Sequence, residues 1–230
     1  MIEHIPEHKK ILIFSPHPDD EVIGMGATIY KIAHRGNVFK IAYLTDGERG
    51  VCGSASQDKK KEIRRKEAQR AMAILGVKER NLEFLNLPFY YTRLPSNEDV
   101  DIVFTILTTF MPDIIFVCID NDPHSTHKKG AEVIDEALIL YEIPTIIYCY
   151  KSIWEEFKPR EVNFCVGFDQ KIMGLKIEAL KQFHSQFKNP EVHTSENPLW
   201  ERVKRKDSAL ACRLGIKQPY AEGFFRTESL

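Results

Sequence analysis

Long hydrophobic runs are missing from this 230-residue sequence. Its longest apolar runs, such as residues 114–119, are far shorter than the ~20 apolar residues that a membrane-spanning helix needs. Residues 1–10 contain no apolar core of the kind found in secretory signals. We therefore expect a cytoplasmic protein with no membrane span.

The sequence also lacks an excess of charge of either sign. It has 32 Lys and Arg residues against 33 Asp and Glu residues, which gives a formal net charge of -1. No broad basic field is therefore available to bind nucleic acid or an anionic membrane. The mixed charges of residues 58–67 are typical of a solvated helix face. We expect the partner to be a small molecule.

Cysteine is scarce, and the sequence contains no Cys-x-x-Cys pair. The five cysteines are odd in number, and Cys118, Cys149 and Cys165 lie inside apolar runs typical of strands. They are expected to be small buried hydrophobic residues in a reducing compartment. Since 43% of the residues are apolar and 28% are charged, the composition excludes a disordered chain and favours one globular domain spanning residues 1–230.

Short apolar runs rich in β-branched residues alternate with longer segments of helical periodicity. This alternation predicts an α/β fold with a mostly parallel sheet and helices on both faces. Strands are predicted at residues 10–15, 38–44, 82–86, 114–119, 145–150 and 162–168. Helices are predicted at residues 21–33, 59–75, 99–110, 127–140, 170–187 and 198–214. Ligands bind at the carboxyl ends of the strands in such sheets, so the loops after the first, second and fourth strands are candidate sites.

The first of these loops, residues 15–21, reads Ser-Pro-His-Pro-Asp-Asp-Glu. Its acidic residues could simply favour the start of the following helix. That explanation does not account for His17, which stands between two prolines that fix its backbone. His17 and Asp20 could reach one cation from a single tight turn, with Asp19 beside it.

A pair of histidines, His124 and His127, follows the fourth predicted strand. Two histidines three residues apart are weak evidence by themselves, because such pairs are often helix caps or surface residues. Here they belong to the same edge of the sheet as His17. A catalytic zinc ion keeps three protein ligands and an open position, so a third ligand from this pair would complete a site.

Together these residues resemble the PIG-L/LmbE-like zinc N-deacetylases, which remove acetyl groups from N-acetylglucosamine-containing compounds. The resemblance covers most of the chain, and its strongest element is the segment Pro-His-Pro-Asp-Asp-Glu at residues 16–21. The other matching segments are Thr45-x-Gly47-Glu48, Arg64-x-x-Glu67, Phe84-Leu85-x-Leu87-Pro88, Lys181-x-x-His184-Ser185-Gln186 and Tyr220-Ala221-Glu222-Gly223-Phe224.

The resemblance implies a single Rossmann-like domain that hydrolyses an acetamide on an amino sugar and forms a homo-oligomer. It implies one zinc ion per subunit, with another divalent metal as an alternative. The implied zinc ligands are His17, Asp20 and His127. The implied catalytic residues are Asp19, as the general base, and His124, which faces the developing oxyanion. The implied substrate-binding residues are Glu48, Arg64 and His184.

Two positions depart from the family pattern. Thr126 stands where many members have an aspartate that orients the first histidine, and Asp120 or Asp122 could replace that carboxylate. The segment Phe89-Tyr90-Tyr91 stands where the family often has an aspartate that grips the sugar together with the arginine of the second helix.

Two other functions are compatible with these motifs. A related zinc amidase could cleave a larger amide on a thiol-sugar conjugate with the same site, and substrate profiling would separate it from a deacetylase. A non-catalytic sugar- or nucleotide-binding module could use the same sheet. Such a module predicts no bound metal, so metal analysis of the purified protein would identify it.

Overall fold

A seven-stranded sheet forms the centre of the fold. The computed structural model describes residues 5–88, 93–118, 124–154, 156–190 and 192–228. Within these residues the strand order is β3-β2-β1-β4-β5-β7-β6. Strands β1 to β5 are parallel, and β7 is antiparallel to both of its neighbours. The strands are β1 (Lys10–Ser15), β2 (Val38–Tyr43), β3 (Leu82–Phe84), β4 (Ile114–Cys118), β5 (Ile146–Tyr150), β6 (Phe164–Phe168) and β7 (Tyr220–Glu228).

Helices cover both faces of this sheet, and β1 shows why. Its alternate residues enter different cores: Ile11 and Ile13 belong to one, Leu12 and Phe14 to the other, and all four are fully buried. A strand buried on both faces is typical of a parallel sheet. The predicted α/β fold is therefore confirmed. The helices of the described residues are α1 (Asp20–Ala33), α2 (Gln57–Ile74), α3 (Asn97–Phe110), α4 (Ser125–Tyr141), α5 (Gln170–Leu180) and α6 (Leu199–Arg213).

No helix in the described ranges combines the length and the apolar character required to cross a membrane.

The fifth helix is shorter than predicted. The helical periodicity predicts a helix through residue 187, but α5 ends at Leu180 and a short 3-10 helix, His184–Lys188, follows. In that segment, the N–H and the Oγ of Ser185 both donate to the Glu67 carboxylate on α2, at 2.7 Å each. These long-range bonds fix the segment 184–188 against α2.

The last strand, β7, is absent from the predicted elements. It contains Glu222 and Gly223, residue types that are depleted in strands. Glu222 is buried because its carboxylate accepts hydrogen bonds from Lys176 Nζ at 2.6 Å and from the N–H groups of Ala27 and Thr28. These partners are distant in the sequence, so local patterning did not reveal the strand.

Candidate active site

Three side chains converge at the carboxyl end of the sheet, where the loop after β1 meets the first turn of α4. His17 Nδ1 lies 3.1 Å from Asp20 Oδ2, and His127 Nε2 lies 3.1 Å from the same oxygen. The two imidazole nitrogens are 3.2 Å apart. One atom from each of the three residues therefore forms a nearly equilateral triangle.

This triangle has the dimensions of a metal site. Ligand atoms about 2.1 Å from a tetrahedral zinc ion lie roughly 3.4 Å apart, close to the observed separations. Asp20 and His127 are buried, with 4% and 1% of their surface exposed. Burial opposes ionisation of Asp20, but the His127 and His17 imidazoles hold the pKa of its carboxyl well below its usual range. The donor set therefore fits a divalent cation.

His124 lies beside this triangle at the start of α4. Its ring centre is 5.0 Å from that of His17 and 4.7 Å from that of His127, and its Nδ1 accepts the Thr126 N–H at 3.3 Å. Ligand atoms of the three histidines all lie within 4.8 Å of one another, so a three-histidine set is a second possible arrangement. The shorter separations favour the set that contains Asp20.

Asp19 is held beside the candidate metal ligands in a strained backbone conformation. Its φ of 138° is rare for a residue with a side chain. The Glu21 carboxylate accepts the Asp19 N–H at 3.0 Å, and Arg64 Nη2 donates to Asp19 Oδ2 at 2.8 Å. Burial raises the pKa of the Asp19 carboxyl, while the Arg64 guanidinium opposes that rise. A carboxylate with a raised pKa is suited to accept a proton.

The guanidinium of Arg64 connects Asp19 to two other parts of the fold. Arg64 is 1% exposed and also donates to the carbonyl oxygen of Pro18. Its Nη1 donates to Glu67 Oε2 and to Ser185 Oγ, both at 3.3 Å. Arg64 thus joins α2, the loop that carries Asp19, and the segment 184–188.

A cavity of about 240 Å³ opens above these groups. Six of the eight residues with an implied catalytic, metal-binding or substrate-binding role line it, namely His17, Asp19, Asp20, Arg64, His124 and His127. Thr126, which departs from the family pattern, also lines it. Among the residues that the structure describes, Glu48 and His184 do not line this cavity. Glu48 is buried, whereas His184 is exposed and packs edge-on against Phe187 with the ring centres 5.5 Å apart.

The cavity wall also contains polar and aromatic residues that the motif analysis missed. Trp154 follows β5, at the same sheet edge as the loops after β1, β2 and β4, and its ring stacks with that of His124 at 6.2 Å. Its position just after the end of a predicted strand was the sequence signal that could have indicated it. The other missed residues are Arg49, which follows Glu48 directly, Gln186, which ends one of the quoted motifs, and Asn189.

Two groups of residues named in the sequence analysis lie outside the part of the chain that the structure describes. They are the aromatic segment Phe89-Tyr90-Tyr91 and the two carboxylates Asp120 and Asp122.

Residues 12–138, more than half of the chain, match the family PIG-L, GlcNAc-PI de-N-acetylase. A putative glucosamine-6-phosphate deaminase-like protein of Bacteroides thetaiotaomicron is 26% identical over 266 aligned positions, which cover 90% of this chain. The chain spans only 40% of the length of that relative.

Diacetylchitobiose deacetylases are similar to this chain in both sequence and structure. The enzyme from Thermococcus kodakarensis is 28% identical over 195 positions, covering 78% of this chain and 70% of that protein. The structure of the N,N'-diacetylchitobiose deacetylase from Pyrococcus horikoshii superposes with a TM-score of 0.75 at 28% identity. That match covers 95% of this chain and 84% of the Pyrococcus chain.

Proposed function

Because this chain belongs to the PIG-L family, we propose that it is a metal-dependent hydrolase that removes the N-acetyl group from an N-acetylglucosamine-containing small molecule. The observation that carries the proposal is the triangle of His17, Asp20 and His127 atoms, with Asp19 beside it in the wall of one cavity. The similarity to two diacetylchitobiose deacetylases supports the same reaction and substrate class.

Zinc is the proposed metal, because two imidazoles and one carboxylate are typical ligands of a catalytic zinc ion. When bound, zinc supplies a Lewis acid and lowers the pKa of a coordinated water molecule to about 7. His17 Nδ1, Asp20 Oδ2 and His127 Nε2 are the atoms that would hold it.

Asp19 and His124 are the proposed catalytic residues. Asp19 Oδ2 accepts from Arg64, which leaves Oδ1 as the oxygen that takes a proton from the attacking water. His124 lies next to the candidate metal ligands, and its imidazole can donate to the oxyanion that develops on the acetyl group. The departing amine needs a proton, which either Asp19 or His124 can supply.

The dimensions of the cavity support a small substrate. Its volume of about 240 Å³ is below the roughly 300–1,000 Å³ of pockets that enclose drug-sized ligands. One sugar unit with its acetamide would fill it, while the rest of a glycoside would remain outside. Trp154 offers an aromatic surface to the sugar, and Gln186 and Asn189 offer amides to its hydroxyl groups. The cytoplasmic location and the homo-oligomer stay predictions.

We expect the zinc-loaded protein to release acetate and free amine in equal amounts from at least one N-acetylglucosamine compound. Suitable substrates are N-acetylglucosamine, its phosphorylated and malate conjugates, and short chitin oligomers. The same compounds with a bulkier acyl group test for the alternative amidase. Absence of acetate release from every compound, with full metal content verified, would contradict the proposal.

Replacing Arg64 by lysine should lower kcat about 10- to 100-fold with little change in KM. Lysine keeps the charge, but one ammonium group cannot bridge Asp19, Glu67 and Ser185 as the guanidinium does. The carboxylate of Asp19 would therefore lose its orientation. Steady-state kinetics of acetate release provide the measurement.

The matched control is Arg65→Lys, because Arg65 lies on the same helix but pairs with Asp46 outside the cavity. The control should keep the wild-type kinetics. A raised KM with unchanged kcat in Arg64→Lys would instead indicate that Arg64 binds the sugar, as the family resemblance implies.

A further inference from the structure

The two carboxylate oxygens of Asp20 have different partners. Oδ2 faces His17 Nδ1 and His127 Nε2, at 3.1 Å from each. Oδ1 accepts a hydrogen bond from Ser152 Oγ at 2.5 Å. Ser152 lies two residues after the end of β5 and is fully buried. The Ser152 hydroxyl on Oδ1 and the His17 N–H, which donates to Oδ2 at 3.1 Å, together orient the Asp20 carboxylate toward the candidate metal position.

The approach of residue 152 to Asp20 depends on close packing between α1 and the end of β5. A Cβ atom at Gly24 would lie 2.3 Å from Tyr150 Cδ2 and 2.9 Å from the Lys151 carbonyl oxygen. Only glycine permits this approach. The hydroxyl of Tyr150 donates to the Phe14 carbonyl at 2.9 Å, which ties the end of β5 to β1.

A second contact, from α6, also holds residue 152. Lys206 Nζ, on α6, donates to the carbonyl oxygens of Ser152 at 3.1 Å and Lys151 at 3.3 Å. Since the packing of Tyr150 and Lys151 against Gly24 and the bonds from Lys206 both hold this backbone, the Ser152 hydroxyl has a defined position relative to Asp20.

We infer that Ser152 is a positioning residue for the metal site, acting through Asp20. The inference rests on the proposed metal role of His17, Asp20 and His127. With Oδ1 held by Ser152, Asp20 would offer only Oδ2 to the metal. Hydrogen bonds to ligating carboxylates typically contribute a factor of about 10–100 to metal affinity.

The test compares the zinc affinity of three variants with that of the wild type. Each metal-free protein is titrated with zinc in competition with a chromophoric chelator, and its fold is checked by circular dichroism. Ser152→Ala should raise the zinc Kd by about 10- to 100-fold. Ser152→Thr keeps the hydroxyl and should rescue the affinity. Ser208→Ala, an exposed serine on α6, is the control and should match the wild type.

Cobalt(II) in place of zinc adds a spectroscopic readout of the ligand arrangement. The visible spectrum should change in Ser152→Ala, where Oδ1 is released, and should stay unchanged in Ser152→Thr and Ser208→Ala. An unchanged Kd and spectrum in Ser152→Ala would overturn the positioning role and leave the proposed function intact. A wild type that binds no zinc in the same titration would overturn both.

Discussion

An Asp19→Asn variant is expected to release acetate about 10²–10⁴-fold more slowly than the wild type while it keeps its metal. Asparagine has the shape of aspartate, and its amide oxygen can still accept the hydrogen bond from Arg64. It cannot take a proton from water. The loss should therefore appear in kcat, measured by acetate release at matched metal content.

The pH dependence of the wild type should reflect the same group. Asp19 must be ionised to act as a base, and burial raises the pKa of its carboxyl. Activity should therefore fall as the pH decreases through that raised pKa, and the residual activity of Asp19→Asn should lack this acidic limb. Asp101→Asn, an exposed position on α3, is the matched control. If Asp19→Asn loses its metal, Asp19 is a metal ligand, and the roles assigned to Asp19 and Asp20 must be exchanged.

A His127→Ala variant is expected to lose both bound metal and detectable acetate release. The substitution removes Nε2, one of the three atoms of the triangle, and two ligands hold a zinc ion much less well than three. The measurement is the metal content after the wild type and the variant have been dialysed together against the same chelator-free buffer. Equal metal content in the two proteins would refute the ligand assignment.

His124→Ala distinguishes the two possible ligand sets. If Asp20 completes the set, this variant should keep its metal and lose activity, because His124 then faces the oxyanion. If the three histidines hold the metal, His124→Ala should lose metal as His127→Ala does. Asp20→Asn gives the converse result. It should lose metal if Asp20 completes the ligand set and should keep its metal if the three histidines hold it.

The sequence alone was sufficient to predict the alternation of strands and helices and the chemical groups in the loop after β1. Apolar runs such as residues 11–14 predict buried strands because both faces of a parallel sheet are covered. His17, Asp19 and Asp20 are neighbours in the chain, so their proximity needs no tertiary information. Even His127 could be placed near them, because the carboxyl ends of parallel strands lie at one edge of the sheet.

Only the tertiary structure decided which distant side chains orient these groups. Arg64 reaches Asp19 from α2, and Ser152 reaches Asp20 from the end of β5. Strand β7 forms around Glu222 because Lys176 neutralises its charge. Local patterning reports the preferences of a segment and its neighbours, whereas a buried charge or hydroxyl is stable only where packing brings a partner from elsewhere in the chain. The chemistry of the reacting groups is therefore encoded locally, and their orientation arises from the packing of the whole domain.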